Sequence, residues 1–254
     1  TQTHARLRLE AALIDGLEGG ELVLHYQPVF DLRTNRIVGA EALVRWEHPE
    51  RGLLMPGHFV PVAERSDLVV LLGEWVIEEA CRQLRHWHDL GLGDRYIAVN
   101  VSARHFSHGL TEAVTAALRA SGAAPRNLVV ELTESTAADN LEIVAATLAE
   151  LRDIGVRSAI DDFGTGYSGL RYLASLPVDT LKIDKSFVQG MTPSDAAIVA
   201  ATVAMGHSLG LTLVAEGVET HEQHRFLVSQ GCDRVQGYLF GRPMPADDLV
   251  DRLR

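Results

Sequence analysis

The stretch that decides the fold covers residues 159–168 and reads AIDDFGTGYS. An apolar, β-type run ends here in two adjacent aspartates, Asp161 and Asp162, and a turn containing Gly164 and Gly166 follows. Glycine tolerates backbone angles that other residues avoid. Neighbouring residues of a strand point to opposite faces, so the two aspartates can converge only where the strand ends. Taken alone, the stretch is compatible both with a solvated turn and with a functional site.

Composition and charge narrow the class of protein. The chain has 254 residues, 46% of them hydrophobic, and a formal net charge of −11. This acidity argues against a partner that is a nucleic-acid polymer, because phosphate neutralisation needs basic patches. No apolar run approaches the roughly 20 residues of a membrane span, so we expect no direct membrane contact by this domain. Cys81 and Cys232 lack metal-ligand spacing; we predict buried hydrophobes and a cytoplasmic, reducing location.

The order of predicted elements indicates the fold class. A hairpin is predicted over 21–30 and 37–46, and strands and helices then alternate, which implies a parallel sheet with crossover helices. The further strands are predicted at 96–101, 127–132, 156–161, 179–183, 211–215 and 233–236, and the helices at 57–66, 68–89, 108–120, 139–153, 194–209, 220–230 and 246–253, with a short helix after the glycine turn. About eight strands in this length favour an α/β TIM-like (β/α)8 barrel with one antiparallel strand near the N-terminus.

The chain begins without an initiator methionine and inside a predicted amphipathic helix over 1–20. Leu7, Ala11, Ile14 and Leu17 recur there at helical spacing and predict its apolar face. No linker or low-complexity segment interrupts the rest of the chain. We therefore expect one domain over 1–254, excised from a longer protein.

Polar side chains come late in seven successive predicted strands after the first. These residues are Glu41, Asn100, Glu131, Asp161, Lys182, Glu216 and Gln236. In a barrel the strand ends surround one mouth, where active sites lie. Strands also end in polar residues for structural reasons, but that accounts for two or three positions rather than seven.

The charges at this mouth indicate what it binds. With Asp162 included, five carboxylates would meet there, and Lys182 alone cannot offset their repulsion. Two divalent cations together with Lys182 can. Because the candidate ligands are all oxygens, Mg²⁺ or Mn²⁺ is favoured over zinc or copper. A site of this kind suits attack of water on a phosphoryl centre.

Other candidate residues have two interpretations each. Arg45 lies on the same face of its strand as Glu41 and Leu43, which suits either a phosphate clamp or an ion pair at the barrel bottom. Phe240 could stack on a nucleobase or pack in the core. His221 and His224 could share a helix face, but no acid or cysteine at matching spacing supports zinc.

Spaced motifs over almost the whole chain resemble the EAL-domain family of cyclic di-GMP phosphodiesterases. The motifs are EALVRW from Glu41, VNVS with Asn100, VVELTES with Glu131 and Glu134, DDFGTGYS from Asp161, LKID with Lys182, VAEGVET with Glu216, and QGYLFGRPMP from Gln236. The resemblance implies a TIM-like barrel with one antiparallel strand. It implies hydrolysis of one phosphodiester bond of cyclic di-GMP to linear pGpG, with two Mg²⁺ or Mn²⁺ ions.

The resemblance also implies roles for single residues. Metal ligands would be Glu41, Asn100, Glu131, Asp161, Asp162 and Glu216, and the catalytic residues would be Glu216 as general base, Lys182 at the attacking water, and Glu41. Substrate contacts would come from Gln27, Leu43, Arg45, Gln236 and Phe240. Glu134, expected on the opposite strand face from Glu131, would anchor the glycine-rich turn over 163–168.

Two further expectations follow from the resemblance: a homodimer, and a sensor or GGDEF-type domain attached in the full-length protein. The intact ligand set favours an active hydrolase. A non-hydrolysing cyclic di-GMP receptor stays open, because an attached domain could control the output. A scaffold without nucleotide binding would leave the acid cluster unexplained. The sequence departs from the family pattern at Asp67, His105 and Gly169, none of which is a ligand position.

Overall fold

A computed structural model of the protein describes residues 2–165 and 173–254. Its strands are β1 Leu22–Asp31, β2 Arg36–His48, β3 Gly52–Leu54, β4 Tyr96–Asn100, β5 Leu128–Thr133, β6 Arg157–Phe163, β7 Thr180–Ile183, β8 Thr212–Ala215 and β9 Arg234–Gln236. Eight of them follow one another in the order β1-β9-β8-β7-β6-β5-β4-β2, and β1 pairs again with β2, so the sheet closes into a barrel. The short β3 extends β2 outside that ring.

One strand runs against the rest of the barrel. β1 is antiparallel to both of its neighbours, whereas the other adjacent pairs of the ring are parallel. The predicted TIM-like barrel with an antiparallel strand near the N-terminus is therefore confirmed. The hairpin turn lacks an Asn-Gly pair, but the Asp31 carboxylate accepts the Thr34 backbone N–H at 2.7 Å. Asn35 then adopts a left-handed conformation, with φ 53°, and returns the chain into β2.

Helices cover the outside of the barrel. They are α1 Gln2–Gly19, α2 Val60–Ala63, α3 Leu68–Asp89, α4 Ala103–Phe106, α5 Leu110–Ser121, α6 Glu134–Asp139, α7 Leu141–Asp153, α8 Lys185–Gly190, α9 Pro193–Ser208, α10 His221–Ser229 and α11 Ala246–Leu253. The single helix predicted over 57–66 is instead a 3-10 turn, Pro56–His58, followed by the four residues of α2. The predicted α3 is confirmed. A short helix is expected after the glycine turn, where residues 166–172 lie outside the described residues.

The predicted apolar face of α1 is wrong at Leu7, Ala11 and Ile14, whereas Leu17 packs against the core as predicted. Leu7 and Ile14 are 52% and 43% exposed, whereas Leu13 is fully buried. Leu13 packs in a cluster that contains Trp46 and Phe59. A β-carbon at Gly16 would come within 2.9 Å of the indole nitrogen of Trp46, so glycine permits this close approach. The aromatic partners, which lie far away in sequence, decide which of two possible stripes faces inward.

The barrel interior below the mouth is filled by apolar side chains. This cluster consists of Val29, Tyr96, Ala98, Val129, Ala159 and Val214. At the bottom, the guanidinium groups of Arg157 and Arg234 lie 5.2 Å and 5.3 Å from the centre of the Tyr96 ring. A larger core lies between strands and helices and includes both cysteines. Burial raises the pKa of the Cys81 and Cys232 thiols to about 12, as expected for buried hydrophobes.

Across the described residues, no helix combines the length and the apolarity needed to cross a bilayer.

Candidate metal and phosphodiester site

The barrel brings the predicted strand-end residues to one mouth. Parallel strands point their carboxyl ends to the same rim, so side chains from β4 to β9 converge there, together with Glu41 from the middle of β2. Asn100 lies opposite Glu131 in the register between β4 and β5, and Glu131 lies opposite Ala159, two residues before Asp161. Most of these side chains are buried although they are polar or charged.

Lys182 is the centre of the site. Its ammonium lies 2.7 Å from carboxylate oxygens of Glu131 and Glu216, and its side chain is 2% exposed. Two further carboxylates lie slightly farther away, Asp161 at 3.2 Å and Glu41 at 3.5 Å. Burial alone would lower the pKa of Lys182, but the surrounding carboxylates raise it well above its ordinary value. Lys182 is therefore a fixed positive charge among four acids.

Glu41 is held by hydrogen bonds on both oxygens. The amide of Asn100 donates to one oxygen at 2.6 Å, and the amide of Gln236 donates to the other at 2.7 Å. Burial opposes ionisation of Glu41, yet Lys182 and these two amides together lower its pKa. Gln236 also donates to Gln27 at 3.0 Å. The chain thus fixes Glu41 as a carboxylate in one orientation.

A glycine fixes the position of Gln236. A β-carbon on Gly237 would lie 2.1 Å from the carbonyl oxygen of Val218, so only glycine allows this contact. The Val218 N–H donates to the Gln236 carbonyl at 3.1 Å, which ties β9 to the segment after β8. This close approach gives a physical reason for the Gln-Gly pair in the sequence.

The two aspartates of the opening stretch converge through an irregular backbone. The β6–β7 register shifts between Ile160 and Phe163, and Asp162 adopts φ 54°, which is unusual for a residue other than glycine. The Asp162 N–H donates to the Asp161 carboxylate at 2.9 Å. Strain of this kind is found at functional sites, where the surrounding structure stabilises it. The interpretation of these residues as a solvated turn is therefore not supported.

The acids form two overlapping groups that could each hold a cation. Glu41, Glu131 and Asp161 each offer an oxygen, and these atoms lie within 4.8 Å of one another. Asp161, Asp162 and Glu216 do the same. Because Asp161 belongs to both groups, two cations would be neighbours. Carboxylate oxygens are the ligands that Mg²⁺ and Mn²⁺ prefer.

Electrostatics supports the same conclusion. Burial raises the pKa of Glu216 to about 7, with Asp161 and Glu41 adding to the rise and Lys182 opposing it. Burial and the neighbouring Asp161 raise the pKa of Asp162 to about 6. The protein therefore holds more carboxylates at the mouth than Lys182 can neutralise. The acid cluster fits divalent cations, although it does not select between magnesium and manganese.

Glu134 anchors the turn but lies in a different element from the one predicted. It is the first residue of α6 and not part of β5, because Thr133 caps the helix and the strand ends there. Its buried carboxylate accepts the Gly164 N–H at 2.8 Å, and its other oxygen, Oε1, has no partner among the described residues. The part of the predicted loop at 166–168, with Gly166, and also Gly169, lie outside the described residues.

Arg45 lies above the mouth and is not an ion pair at the barrel bottom. β2 rises from Arg36 past Glu41, so Arg45 is on the site side. It is 6% exposed, donates only to the Val44 carbonyl at 2.8 Å, and leaves its Nε buried without a hydrogen-bond partner among the described residues. An unpaired buried guanidinium donor is costly, so the geometry suits an anion supplied from outside.

A cavity of about 480 Å³ opens beside the acids. Its walls include apolar side chains from β2, α2 and α3, together with a few polar groups. Leu43, Val60, Val69 and Leu72 are on the apolar side, and Glu64, Asn100, Ser102 and Glu131 are on the polar side. A largely apolar pocket with few polar groups is typical of small-molecule sites.

Phe240 is partly buried against the core. Its ring lies 4.8 Å from the ring of Phe30 and 5.4 Å from that of His224. These contacts match the interpretation as core packing, and they leave base stacking as a prediction. His224 is thus part of this packing.

The sequence did not indicate three residues that border the site. Asp184 adds to the rise in the pKa of Asp162 through its negative charge, and it caps α8 by accepting the Ser186 N–H at 3.0 Å. Tyr238 is half exposed, and the Arg242 guanidinium lies 4.1 Å from its ring centre. Glu64 lines the cavity. Asp184 could have been suspected from its place two residues after Lys182, at the end of the same apolar run.

The fold and the mouth define the class: a closed α/β barrel whose strand ends carry a carboxylate site for divalent cations. The chain belongs to the EAL domain family. The sequence profile of that family matches residues 9–243.

Two relatives and one solved structure illustrate the similarity. The chain is 49% identical over 248 residues to the bifunctional diguanylate cyclase/cyclic di-GMP phosphodiesterase MucR of Pseudomonas aeruginosa, covering 96% of this chain and 36% of the relative. It is 43% identical over 251 residues to the cyclic di-GMP phosphodiesterase NbdA of the same organism, covering 98% of this chain and 32% of the relative. The chain therefore spans about a third of the length of these curated relatives.

A solved structure described as the PaMucR phosphodiesterase in complex with c-di-GMP superposes with a TM-score of 0.91 at 49% identity. The superposition covers 95% of this chain and 99% of that chain. The similarity thus extends over the whole domain that the solved chain contains.

Proposed function

We propose that this domain hydrolyses one phosphodiester bond of cyclic di-GMP and releases linear pGpG. The observation that carries the proposal is the ring of four carboxylates around buried Lys182, with Asn100 and Gln236 orienting Glu41. Membership of the EAL domain family and the similarity to relatives named as cyclic di-GMP phosphodiesterases support it.

The metal ligands in this proposal are Glu41, Asn100, Glu131, Asp161, Asp162 and Glu216. Two Mg²⁺ or Mn²⁺ ions, when bound, would activate the attacking water and neutralise charge on the phosphoryl group. Asn100 uses its amide nitrogen on Glu41, so its carbonyl oxygen is the atom it can offer. The shared ligand Asp161 would set the spacing between the two ions.

The catalytic residues in this proposal are Lys182, Glu216 and Glu41. Lys182 provides a fixed positive charge next to Glu216, where it would orient the water and stabilise developing negative charge. Glu216 would accept the proton of that water, since its side chain is more exposed than those of Glu41, Glu131 and Asp161. Glu41 completes the arrangement as an oriented carboxylate.

Substrate contacts would come from the rim. Arg45 offers the terminal nitrogens of its guanidinium to a phosphate oxygen, and Leu43 borders the apolar cavity where a guanine could lie. Gln27 and Gln236 form a hydrogen-bonded pair on the other side of Glu41. Phe240 would contact the substrate from behind the Gln27–Gln236 pair. Glu134 would hold the glycine turn in place.

The wider setting is also part of the proposal. The domain would occupy 1–254 with α1 as its leading helix, belong to a longer cytoplasmic or membrane-tethered protein with a sensor or GGDEF-type domain, and act as a homodimer. The relatives' greater length supports an attached domain.

Turnover with product identification tests the proposal. Purified protein with Mg²⁺ or Mn²⁺ should convert cyclic di-GMP to a product with the mass of pGpG, and EDTA should stop the reaction. Glu216→Gln, which keeps the shape and removes the charge, should abolish turnover. Glu222→Gln, in the first turn of α10 and exposed, is the matched control. Binding of cyclic di-GMP without turnover in either metal would favour the receptor alternative and contradict hydrolysis.

A further inference from the structure

A second concave site lies at the opposite end of the barrel. A cavity of about 670 Å³ is lined by Phe30, Asn35, Arg36, Ile37, Arg95, Arg252, Leu253 and Arg254. Arg36 precedes Glu41 by five residues on β2, which places it roughly 16 Å from the catalytic layer along the strand. The cavity is therefore separate from the mouth and from the groups that hold cations.

The lining of this cavity is basic although the chain is acidic. The sequence has a net charge of −11, yet the lining among the described residues contains four arginines and no Asp or Glu side chain. Neither Arg36 nor Arg95 forms an ion pair in the described part of the chain. Asp31 is opposite Arg36 in the β1–β2 register, and its Oδ1 accepts from both the Thr34 N–H and the Thr34 hydroxyl.

Arg95 gives an independent observation. Its Nε is buried and has no hydrogen-bond partner among the described residues. Because Nε is buried, an anion seated between Arg95 and Arg36 would meet the terminal guanidinium nitrogens of Arg95, and Arg95 forms no ion pair among the described residues. Arginine is suited to this role, because its planar guanidinium binds phosphate through two parallel hydrogen bonds.

The cavity also has an apolar wall. Phe30, Ile37 and Leu253 contribute to it, and the ring of Phe30 is fixed by its contact with Phe240 at 4.8 Å. A bare inorganic ion would leave this wall in water. A ligand with a phosphate at one end and a flat, apolar group at the other would use both parts of the site.

From these observations we infer that the arginine-lined cavity at the bottom of the barrel binds a nucleoside monophosphate. The phosphate lies between Arg36 and Arg95, with Arg252 at the edge, where its guanidinium already donates to the Phe240 carbonyl at 3.1 Å. The base lies against Phe30 and Ile37. None of the proposed metal ligands or catalytic residues lines this cavity.

Calorimetry on the metal-free protein tests this inference. In EDTA the acidic mouth repels anions, so binding there is suppressed. Adenosine monophosphate should bind, inorganic phosphate should bind at least about tenfold more weakly, and unphosphorylated adenosine should not bind measurably. The affinity for adenosine monophosphate should fall with added salt. Equal affinity for adenosine and its monophosphate would overturn the inference.

Variants assign the binding to this cavity. Arg36→Ala and the double variant with Arg95→Ala should weaken adenosine monophosphate binding at least about tenfold. Arg119→Ala, which removes an exposed arginine from the last turn of α5, should bind as the unchanged protein does. Arg36 is exposed, so its single variant is informative even if the loss of Arg95 impairs folding. Absence of binding in the unchanged protein, or equal binding in Arg36→Ala and Arg119→Ala, would contradict the proposal. The turnover of cyclic di-GMP by Arg36→Ala is measured separately. This measurement distinguishes a failure of the arginine-lined cavity to bind nucleotide from a failure of the proposed hydrolysis.

Discussion

At the scale of single residues, Lys182 stabilises the mouth of the barrel when metal ions are removed with EDTA. Lys182→Met keeps most of the volume but leaves four carboxylates without their ammonium. Because removing one partner of a buried ion pair leaves uncompensated charge, we expect the free energy of unfolding in EDTA to fall by about 3 kcal/mol. Urea denaturation measures it. Lys185→Met, at the exposed lysine three residues later, is the control and should change stability little. Equal losses in the two variants would contradict this role.

Glu216 makes the metal-free protein sensitive to pH. Its pKa is raised from 4.5 to about 7 on folding. A raised pKa stabilises the fold below the unfolded value, and this contribution is lost as the pH rises through the folded value. The free energy of unfolding in EDTA should therefore fall between pH 4.5 and about 7. Urea midpoints across this interval measure the slope, and Glu216→Gln should reduce it. An unchanged slope in Glu216→Gln would exclude Glu216 as the source.

At the scale of elements, α6 supports the turn through a single side chain. Glu134→Ala removes the acceptor for the Gly164 N–H, so we expect the affinity for Mn²⁺ to fall about tenfold even though Glu134 is not a ligand. Glu134→Gln keeps an acceptor oxygen and should lose less. Calorimetry with Mn²⁺ compares both with Glu142→Ala, an exposed residue in the first turn of α7. If Glu134→Ala binds Mn²⁺ as tightly as Glu142→Ala does, Glu134 does not support the metal site through the turn.

The corrected face of α1 gives a stability prediction. Leu13→Ala opens a cavity beside Trp46 and Phe59 and should lower the free energy of unfolding by about 2–5 kcal/mol. Ile14→Ala changes the neighbouring exposed residue and should stay within about 0.5 kcal/mol of the unchanged protein. Urea denaturation of both variants decides the matter. A larger loss from Ile14→Ala would restore the face expected from sequence.

The elements also show what the sequence could and could not predict. The strand ends were predictable because the local sequence marks them. At each one, a polar residue such as Glu131, Asp161 or Lys182 comes late in an apolar run. The face of α1 was not, because Leu13 is selected by Trp46 and Phe59 from elsewhere in the chain. Glu134 was expected on the opposite strand face from Glu131, whereas the Thr133 side chain accepts the Thr136 N–H and starts a helix before Glu134.

Backbone detail was equally inaccessible to sequence reasoning. The left-handed conformation of Asp162 depends on the register shift between β6 and β7, which is a property of two strands. The contacts of the Lys182 ammonium with four carboxylates depend in the same way on the closure of the barrel. Motif spacing therefore predicted which residues meet, and only the tertiary structure shows how Asp161 and Asp162 turn towards each other.

At the scale of the whole molecule, the mouth joins strands from most of the barrel circumference. Glu41 is on β2, Lys182 on β7 and Gln236 on β9, so like-charge repulsion at the mouth acts on the entire ring. Cations that neutralise the acids should stabilise the closed barrel as one unit. This differs from a surface site, where binding would stabilise one loop.

Thermal unfolding of the whole domain tests this coupling. Mg²⁺ at 100 times its Kd adds about 2.7 kcal/mol per site, and each kcal/mol raises the Tm of a domain this long by about 2–4 °C. We therefore expect a single cooperative transition whose Tm rises by at least about 5 °C over that in EDTA, while NaCl of equal ionic strength gives no such rise. Glu131→Gln removes a carboxylate shared with Lys182 and should reduce the response to Mg²⁺. If the Tm in saturating Mg²⁺ equals that in EDTA, the acids at the mouth do not bind cations strongly enough to hold the barrel closed, and the two-cation site would have to be abandoned.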